Sequence, residues 1–202
     1  DLPKPKAKYK WSVSRSRYTY TKTGRAVPES RVRAGLQAAV DSSKEKIGKL
    51  TQRLVNGKIN VSAWHEAMKA EIKAAHRAAA MLANGGKLDA RAAGRLGAVL
   101  KAQYKFLGNF ARQIENGDVT LGARTVARAR LYAQAVMTTY QKAKLARAKA
   151  AGIEMYRLVL SPAEHCDECL ADAALDFVPI GSLPEIGSRT CLINCKCSWE
   201  YQ

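Results

Sequence analysis

Between residues 28 and 152 apolar side chains recur every three or four positions in an alanine-rich background, the period of amphipathic helices. The pattern is interrupted at Asn56-Gly57, Asn84-Gly85-Gly86, Asn116-Gly117 and Gly152. Glycine or asparagine just past a periodic segment supplies the left-handed residue that closes a helix, so these breaks end four predicted helices. Ser62, Asp89 and Thr120 stand where N-caps are expected for the three helices that follow breaks. The segments 56–61 and 116–121 match in pattern at an offset of 60 residues, either from two related helical hairpins or from two similar caps that arose independently.

The predicted helix over 121–151 is the most informative. Val126, Ala129, Ala133, Val136, Met137 and Tyr140 share one side at helical spacing, while Arg124, Arg128, Lys142 and Lys149 fall on the other. No acidic residue occurs from 119 to 153, so this face reads either as a solvated basic surface or as a contact for an anionic partner. Leu96, Val99, Phe106, Phe110 and Ile114 on the preceding helix are expected in the core. Beyond the helices the period changes. Residues 153–160 are apolar and β-branched, and 197–201 alternate like a partner strand, so the two predict a small β-ribbon entered through a turn at Ser161-Pro162.

Residues 1–29 lack helical periodicity and predict an extended arm. Lys4, Lys6, Lys8 and Lys10 alternate with small or aromatic residues, and Arg15 and Arg17 follow. Interleaved Tyr9, Trp11, Tyr18 and Tyr20 suit stacking on bases or insertion into a protein groove; the plainer reading is a strand-like or disordered arm that orders on assembly.

Charge sharpens this division. The 202 residues contain 34 Lys and Arg against 17 Asp and Glu, a formal net charge of +17 that favours a polyanionic or acidic partner. Residues 1–160 hold 32 of the basic and 10 of the acidic side chains, a balance of +22, whereas 161–202 balance to −5. Phosphate attraction needs Lys and Arg near the contact, so any nucleic acid is expected at the helices and arm. No stretch is apolar for the roughly 20 residues that span a membrane, and the start at Asp1 lacks the apolar core of a signal peptide. An intracellular product is expected, processed or part of something longer, since it opens on Asp1 rather than on methionine.

All five cysteines lie after residue 165. Their odd number argues against a disulfide framework, and their spacing argues for metal: Cys166-x2-Cys169, then 21 residues, then Cys191-x3-Cys195-x-Cys197. A CxxC pair turns two thiolates onto one ion and a second close set completes a tetrahedron, so four of Cys166, Cys169, Cys191, Cys195 and Cys197 are expected to hold one structural zinc, with His165 as a further candidate. Cys195 and Cys197 would share one face of a regular strand, so both can ligate only if the chain turns there. A set of cysteines alone leaves no open position for catalytic water, and a module of this size has too little core to fold without the metal. The fold class is therefore mainly α: a four-helix body over 30–152, an extended basic arm over 1–29, and a small C-terminal β-ribbon zinc module over 153–202.

Enzyme signatures are missing. His65 and His76 are eleven apart rather than the i, i+4 pair of a zinc protease, and Asn84-Gly85-Gly86 lacks the context of a phosphate loop. No nucleophile has an evident base, so no catalytic residue and no small-molecule substrate are expected.

The run Ala127-Arg128-Ala129-Arg130-Leu131-Tyr132-Ala133, the following strand, His165-Cys166-Asp167-Glu168-Cys169, the loop Ser182-Leu183-Pro184-Glu185-Ile186-Gly187 and Cys191-Leu192-Ile193-Asn194-Cys195-Lys196-Cys197 resemble the phage Mu F-like minor head, or head-morphogenesis, family of tailed bacteriophages. The resemblance is close over 125–202 and looser over the helices from 30. The family commonly shows CxxC followed by His-x-x-Cys-x-Cys; here Cys191 stands in place of the histidine and one residue further away. The resemblance implies a virion protein made in the host bacterial cytoplasm and built into the head at or near the portal vertex. Its implied partners are the portal and major capsid proteins and packaged double-stranded DNA, in head assembly and DNA packaging or delivery. The alternative is a zinc-containing nucleic-acid-binding protein of ribosomal or chromatin type, in which a basic arm and a four-cysteine module are also common.

Overall fold

The computed structural model describes residues 8–12 and 17–202. Five helices build the body: α1 Glu29–Val55, α2 Val61–Ala83, α3 Ala90–Glu115, α4 Ala123–Gln134 and α5 Val136–Ala150. The first three close at the expected breaks, with Asn56, Asn84 and Asn116 as C-caps and Gly57, Gly85 and Gly117 at positive φ. Gly85 (φ 73°) is doubly required, because a side chain there would stand 2.7 Å from the Cβ of Trp11. Asp89 caps α3 as expected, its carboxylate accepting from the Ala92 amide at 2.7 Å. Two other caps differ. Asn60, not Ser62, accepts the Ala63 amide at 2.8 Å, and α4 starts after Gly122 while the Thr120 carbonyl accepts from the Thr125 hydroxyl at 2.8 Å.

The segment expected as one helix over 121–151 is two. Ala135 (φ −60°, ψ −16°) separates α4 from α5 with no glycine or proline at the joint. The two halves have different partners: α4 lies along α1, and α5 lies along α2. The body is therefore a five-helix array in which α2 touches α1, α3 and α5.

Two apolar clusters hold the body. Ile47, Trp64, Met68, Leu107, Phe110 and Tyr132 pack at one end, with the Trp64 indole edge-on to Phe110 and its N–H donated to Thr51 Oγ1 at 3.1 Å. Val32, Leu36, Val40, Ala79, Met137 and Tyr140 pack at the other. Phe106 departs from its expected core position, standing 58% exposed.

The N-terminal segment is extended as expected, but its described part is folded back rather than free. Strands β1 Tyr9–Ser12, β2 Arg17–Tyr20 and β3 Ala26–Val27 form an antiparallel sheet in that order. Tyr18 is 1% exposed and its hydroxyl lies 3.3 Å from that of Tyr140 on α5. Trp11 meets Tyr18 edge-on and Tyr9 meets Tyr20 at 5.4 Å. The aromatic side chains proposed for stacking on bases are thus spent on the second core cluster.

The C-terminal sheet matches the expected ribbon and adds to it. Strand β4 Met155–Val159 pairs antiparallel with β5 Val178–Pro179 on one side and β6 Ser198–Tyr201 on the other. A short helix α6 Asp167–Ala173 precedes β5. Among the described residues no helix is long and apolar enough to cross a membrane.

His76 on α2 is wholly buried, its Nδ1 2.7 Å from Thr139 Oγ1 of α5. Burial drives its pKa down to about 4 from an ordinary 6.5. The unfolded chain therefore takes up this proton at higher pH than the native one, so the contribution is present above about pH 6.5 and lost as pH falls towards 4. The loss expected at this residue is at most ~3 kcal/mol, from the size of the shift. Denaturant unfolding of wild type and His76→Gln between pH 7 and pH 4 should show a flatter pH dependence in the variant; equal slopes would mean that His76 is not the group titrating.

Candidate metal centre

Cys166 is the N-cap residue of α6, and its carbonyl accepts from the amides of Cys169 (2.9 Å) and Leu170 (3.1 Å). That first turn brings the two thiols of the CxxC pair to one side. The second set hangs on a 3₁₀ turn, Leu192–Asn194, between Cys191 and Cys195. Leu192 has φ 46°, which makes it the one non-glycine residue at positive φ among the described residues. A branched side chain held there stores strain of about 1–3 kcal/mol, which the surrounding contacts must hold in place. Cys195 leaves the turn before β6 begins at Ser198, so it and Cys197 are not consecutive inward positions of one strand. The turn required to bring both thiols inward is present.

The five thiols form two triads that share one member. Cys166, Cys169 and Cys191 have Sγ atoms within 4.8 Å of one another, and so do Cys169, Cys195 and Cys197. Cys169, fully buried, belongs to both triads, with Sγ–Sγ separations of 3.7 Å to Cys191 and 3.9 Å to Cys195. Thiolates bound to one tetrahedral ion at about 2.3 Å stand about 3.8 Å apart, so the donors fit a thiolate metal site. None of the five is in a disulfide.

The thiols share protons unevenly. A hydrogen bond from Cys197 brings Cys195 down to about 5, and the same contact together with burial raises Cys197. Burial lifts Cys169 to about 11 and also raises Cys191, while the Cys169 amide lowers Cys166. One negative sulfur therefore discourages ionisation of its neighbours, and a cation that deprotonates the set relieves the repulsion. His165 stands beside the cluster with Nδ1 3.5 Å from Cys197 Sγ. Its Nε2 lies 2.7 Å from the Ser161 carbonyl, which can only accept, so Nε2 carries a hydrogen and, in the neutral ring, Nδ1 is the nitrogen free to offer a lone pair to the site.

Polar residues that sequence reasoning passed over hold the two halves together. The Glu168 carboxylate accepts from the Thr190 amide at 2.6 Å and from its hydroxyl, tying α6 to the loop before Cys191. Arg189, 2% exposed, donates to Asp172 at 2.6 Å and lies over the Trp199 ring. A signal for it existed: Arg189 and Lys196 are the only basic residues after 160. The apolar side of the site is Tyr156, Leu158, Ile186 and Trp199. The body grips the site through Arg33 of α1, which donates to Ser198 Oγ at 3.0 Å and to the Lys196 carbonyl at 2.9 Å, and through Gln141 of α5, donated to the Cys197 carbonyl. Gly187 (φ 91°) passes so close to α5 that a side chain would stand 2.8 Å from Thr138.

The basic residues singled out in the sequence are dispersed. Arg124 is exposed on α4; Arg128 is exposed with its guanidinium 4.0 Å from the centre of the Phe110 ring. Lys142 pairs with Glu185 at 2.9 Å, and Lys149 is exposed near Gly181. Lys8, Lys10 and Arg17 are exposed around the N-terminal sheet, while Lys4, Lys6 and Arg15 lie outside the described residues.

Because Cys169 alone sits in both triads, Cys169→Ser should abolish stoichiometric metal binding. With Cys169 fixed and four ligands drawn from five thiols, one of Cys166, Cys191, Cys195 and Cys197 should tolerate serine with metal content retained; metal analysis of the single-serine series reads this directly. Arg189→Ala leaves Asp172 unpaired and should destabilise the C-terminal sheet by about 3 kcal/mol, seen as faster proteolysis within 161–202 at unchanged helix content. No protein-family model, no curated protein and no solved structure matches the chain.

Proposed function

We propose that the chain is a binding protein with no chemistry of its own: a minor head protein of a tailed bacteriophage. It acts at or near the portal vertex in head assembly and in DNA packaging or delivery, and one zinc ion shapes its C-terminal sheet. The observation that carries the structural role is the donor set. Five thiols and no carboxylate gather in two triads that share Cys169, walled by Tyr156, Leu158 and Trp199. All-sulfur donors favour a closed structural site over one with an open position for water, and among the metals that take thiolates zinc is the usual structural choice. Cys169 with three of Cys166, Cys191, Cys195 and Cys197 would hold the ion. Bound there, zinc supplies folding energy that the small apolar cluster lacks.

The phage assignment rests on the resemblance over 125–202, and the acid-poor helices suit an acidic protein or packaged DNA. The same surplus of cations also fits the ribosomal or chromatin-type reading. Against that reading stands the cysteine module itself, which is acidic where such modules meet phosphate.

Purified protein should contain about one zinc per chain. Chelation should open 161–202 to protease while most helix content persists; unchanged protection would remove the structural metal. Mass spectrometry and antibody labelling of purified phage particles should find the protein in mature heads near the vertex. Salt-sensitive binding to RNA by a protein absent from particles would replace the phage reading with the alternative.

A further inference from the structure

Helix α3 lies against α5 and, at Phe110, meets the Arg128 side chain of α4. At one end is a cavity of about 290 Å³ whose walls include Leu96 and Val99 of α3 and Leu145 of α5, with Arg95, Lys142 and Lys149 around it. Its position on α3 continues by helical spacing from Ala92 through Arg95, Val99 and Ala102 to Phe106, which is 58% exposed. One turn further lies Phe110, and the Arg128 guanidinium on its ring places the exposed side of α4 beside that end. Leu131, one turn along α4 from Arg128, is 47% exposed.

This strip of α3, α4 and α5 surface thus holds two large exposed apolar side chains, an apolar cavity and the cations Arg95, Arg128, Lys142 and Lys149. Acids are scarce. Helix α3 has none from Ala90 to Ile114, α4 and α5 have none at all, and the one carboxylate at the cavity, Glu185, is engaged by Lys142.

We infer that this strip docks an acidic amphipathic helix of a partner protein, with apolar anchors on Phe106, Leu131 and the cavity beside Val99, and carboxylates facing Arg95, Arg128 and Lys149. It rests on the reading of the chain as a docking protein, names the partner chemistry for the basic face, and is independent of the metal. The span from Ala92 to Phe110 corresponds to a helix of about 18 residues, or about 27 Å. Three other occupants fit less well. A duplex offers phosphates and no apolar side chains to fill a cavity or cover Phe106. A second copy would set Arg95, Lys142 and Lys149 against their like in a chain of net charge +17. A small ligand would find a space at the lower edge of the roughly 300–1,000 Å³ usual for such sites, open along its length.

The test uses the full chain and three probes: an 18-residue helix-stabilised peptide with leucine on one face and glutamate on the other, a scrambled peptide of the same composition, and an 18-base-pair DNA. Fluorescence anisotropy at physiological salt should show the amphipathic peptide binding about tenfold more tightly than the scramble. Phe106→Asp and Leu131→Asp, both at exposed positions, should each weaken it about tenfold with helix content and zinc content unchanged. Arg53→Glu, on α1, should not. Equal binding of both peptides, or binding indifferent to Phe106 and Leu131, would reduce the strip to unspecific charge and overturn the inference. So would DNA binding more tightly than either peptide. Absence of the protein from phage particles would sink the head-protein reading and leave this binding intact, so the two fail separately.

Discussion

Lys144 sits near the middle of α5 with almost no exposure, and its ammonium pairs with Glu29 at the first turn of α1. Burial alone would press this lysine towards the neutral form, and the carboxylate opposes that. A buried cation is tolerable only with such a partner, so α5 has one seating against α1. Much else depends on that seating. Arg147, one turn on, stacks on Trp11 and donates to the Ala83 carbonyl at the end of α2, while Gln141 reaches the Cys197 carbonyl. The N-terminal sheet, the helices and the cysteine site therefore meet around one helix that is buried on most of its faces.

This arrangement explains why the body and the cysteine site form a continuous structure despite opposite charge. The C-terminal sheet offers a short apolar face, Tyr156, Leu158 and Trp199, too small to stand alone. It lies on α5 through Leu145, is gripped by Arg33 from α1, and is cross-linked internally by Arg189 and Glu168. A metal at the thiols would join α6 to the turn carrying Cys191 and Cys195. An all-thiolate donor set suits a closed structural site of this kind.

The surfaces divide accordingly. The segment that carries the cysteines balances to −5, whereas α3, α4 and α5 carry cations with few acids between them. The cations do not form one plain basic face, because the joint at Ala135 turns α5 inward and Lys144 becomes a core residue. What remains outside on α3 and α4 is a surface in which exposed Phe106 and Leu131 stand among cations.

Local rules made much of this legible in the chain alone. A left-handed residue is required where a helix closes, so Asn56-Gly57, Asn84-Gly85 and Asn116-Gly117 marked three helix ends. The apolar, β-branched run at 153–160 and the alternation at 197–201 marked the paired strands β4 and β6, and the cysteine spacing marked a thiolate cluster. These signals depend on neighbours in sequence. Partners far apart in the chain decided the rest. Whether Phe106 is core or surface depends on whether another helix covers it, and no periodicity records that. Tyr18 and Trp11 look like a free aromatic arm until Tyr140 and Arg147, more than a hundred residues later, take them into the core. The same is true of Arg189, whose burial follows from Asp172 and Trp199 closing around it. The sequence by itself determined most helix ends, the strands β4 and β6 and the cysteine cluster, because those follow from backbone preference and ligand spacing; only the tertiary structure decided the joint at Ala135, the N-terminal sheet and which faces are covered, because burial belongs to pairs of surfaces.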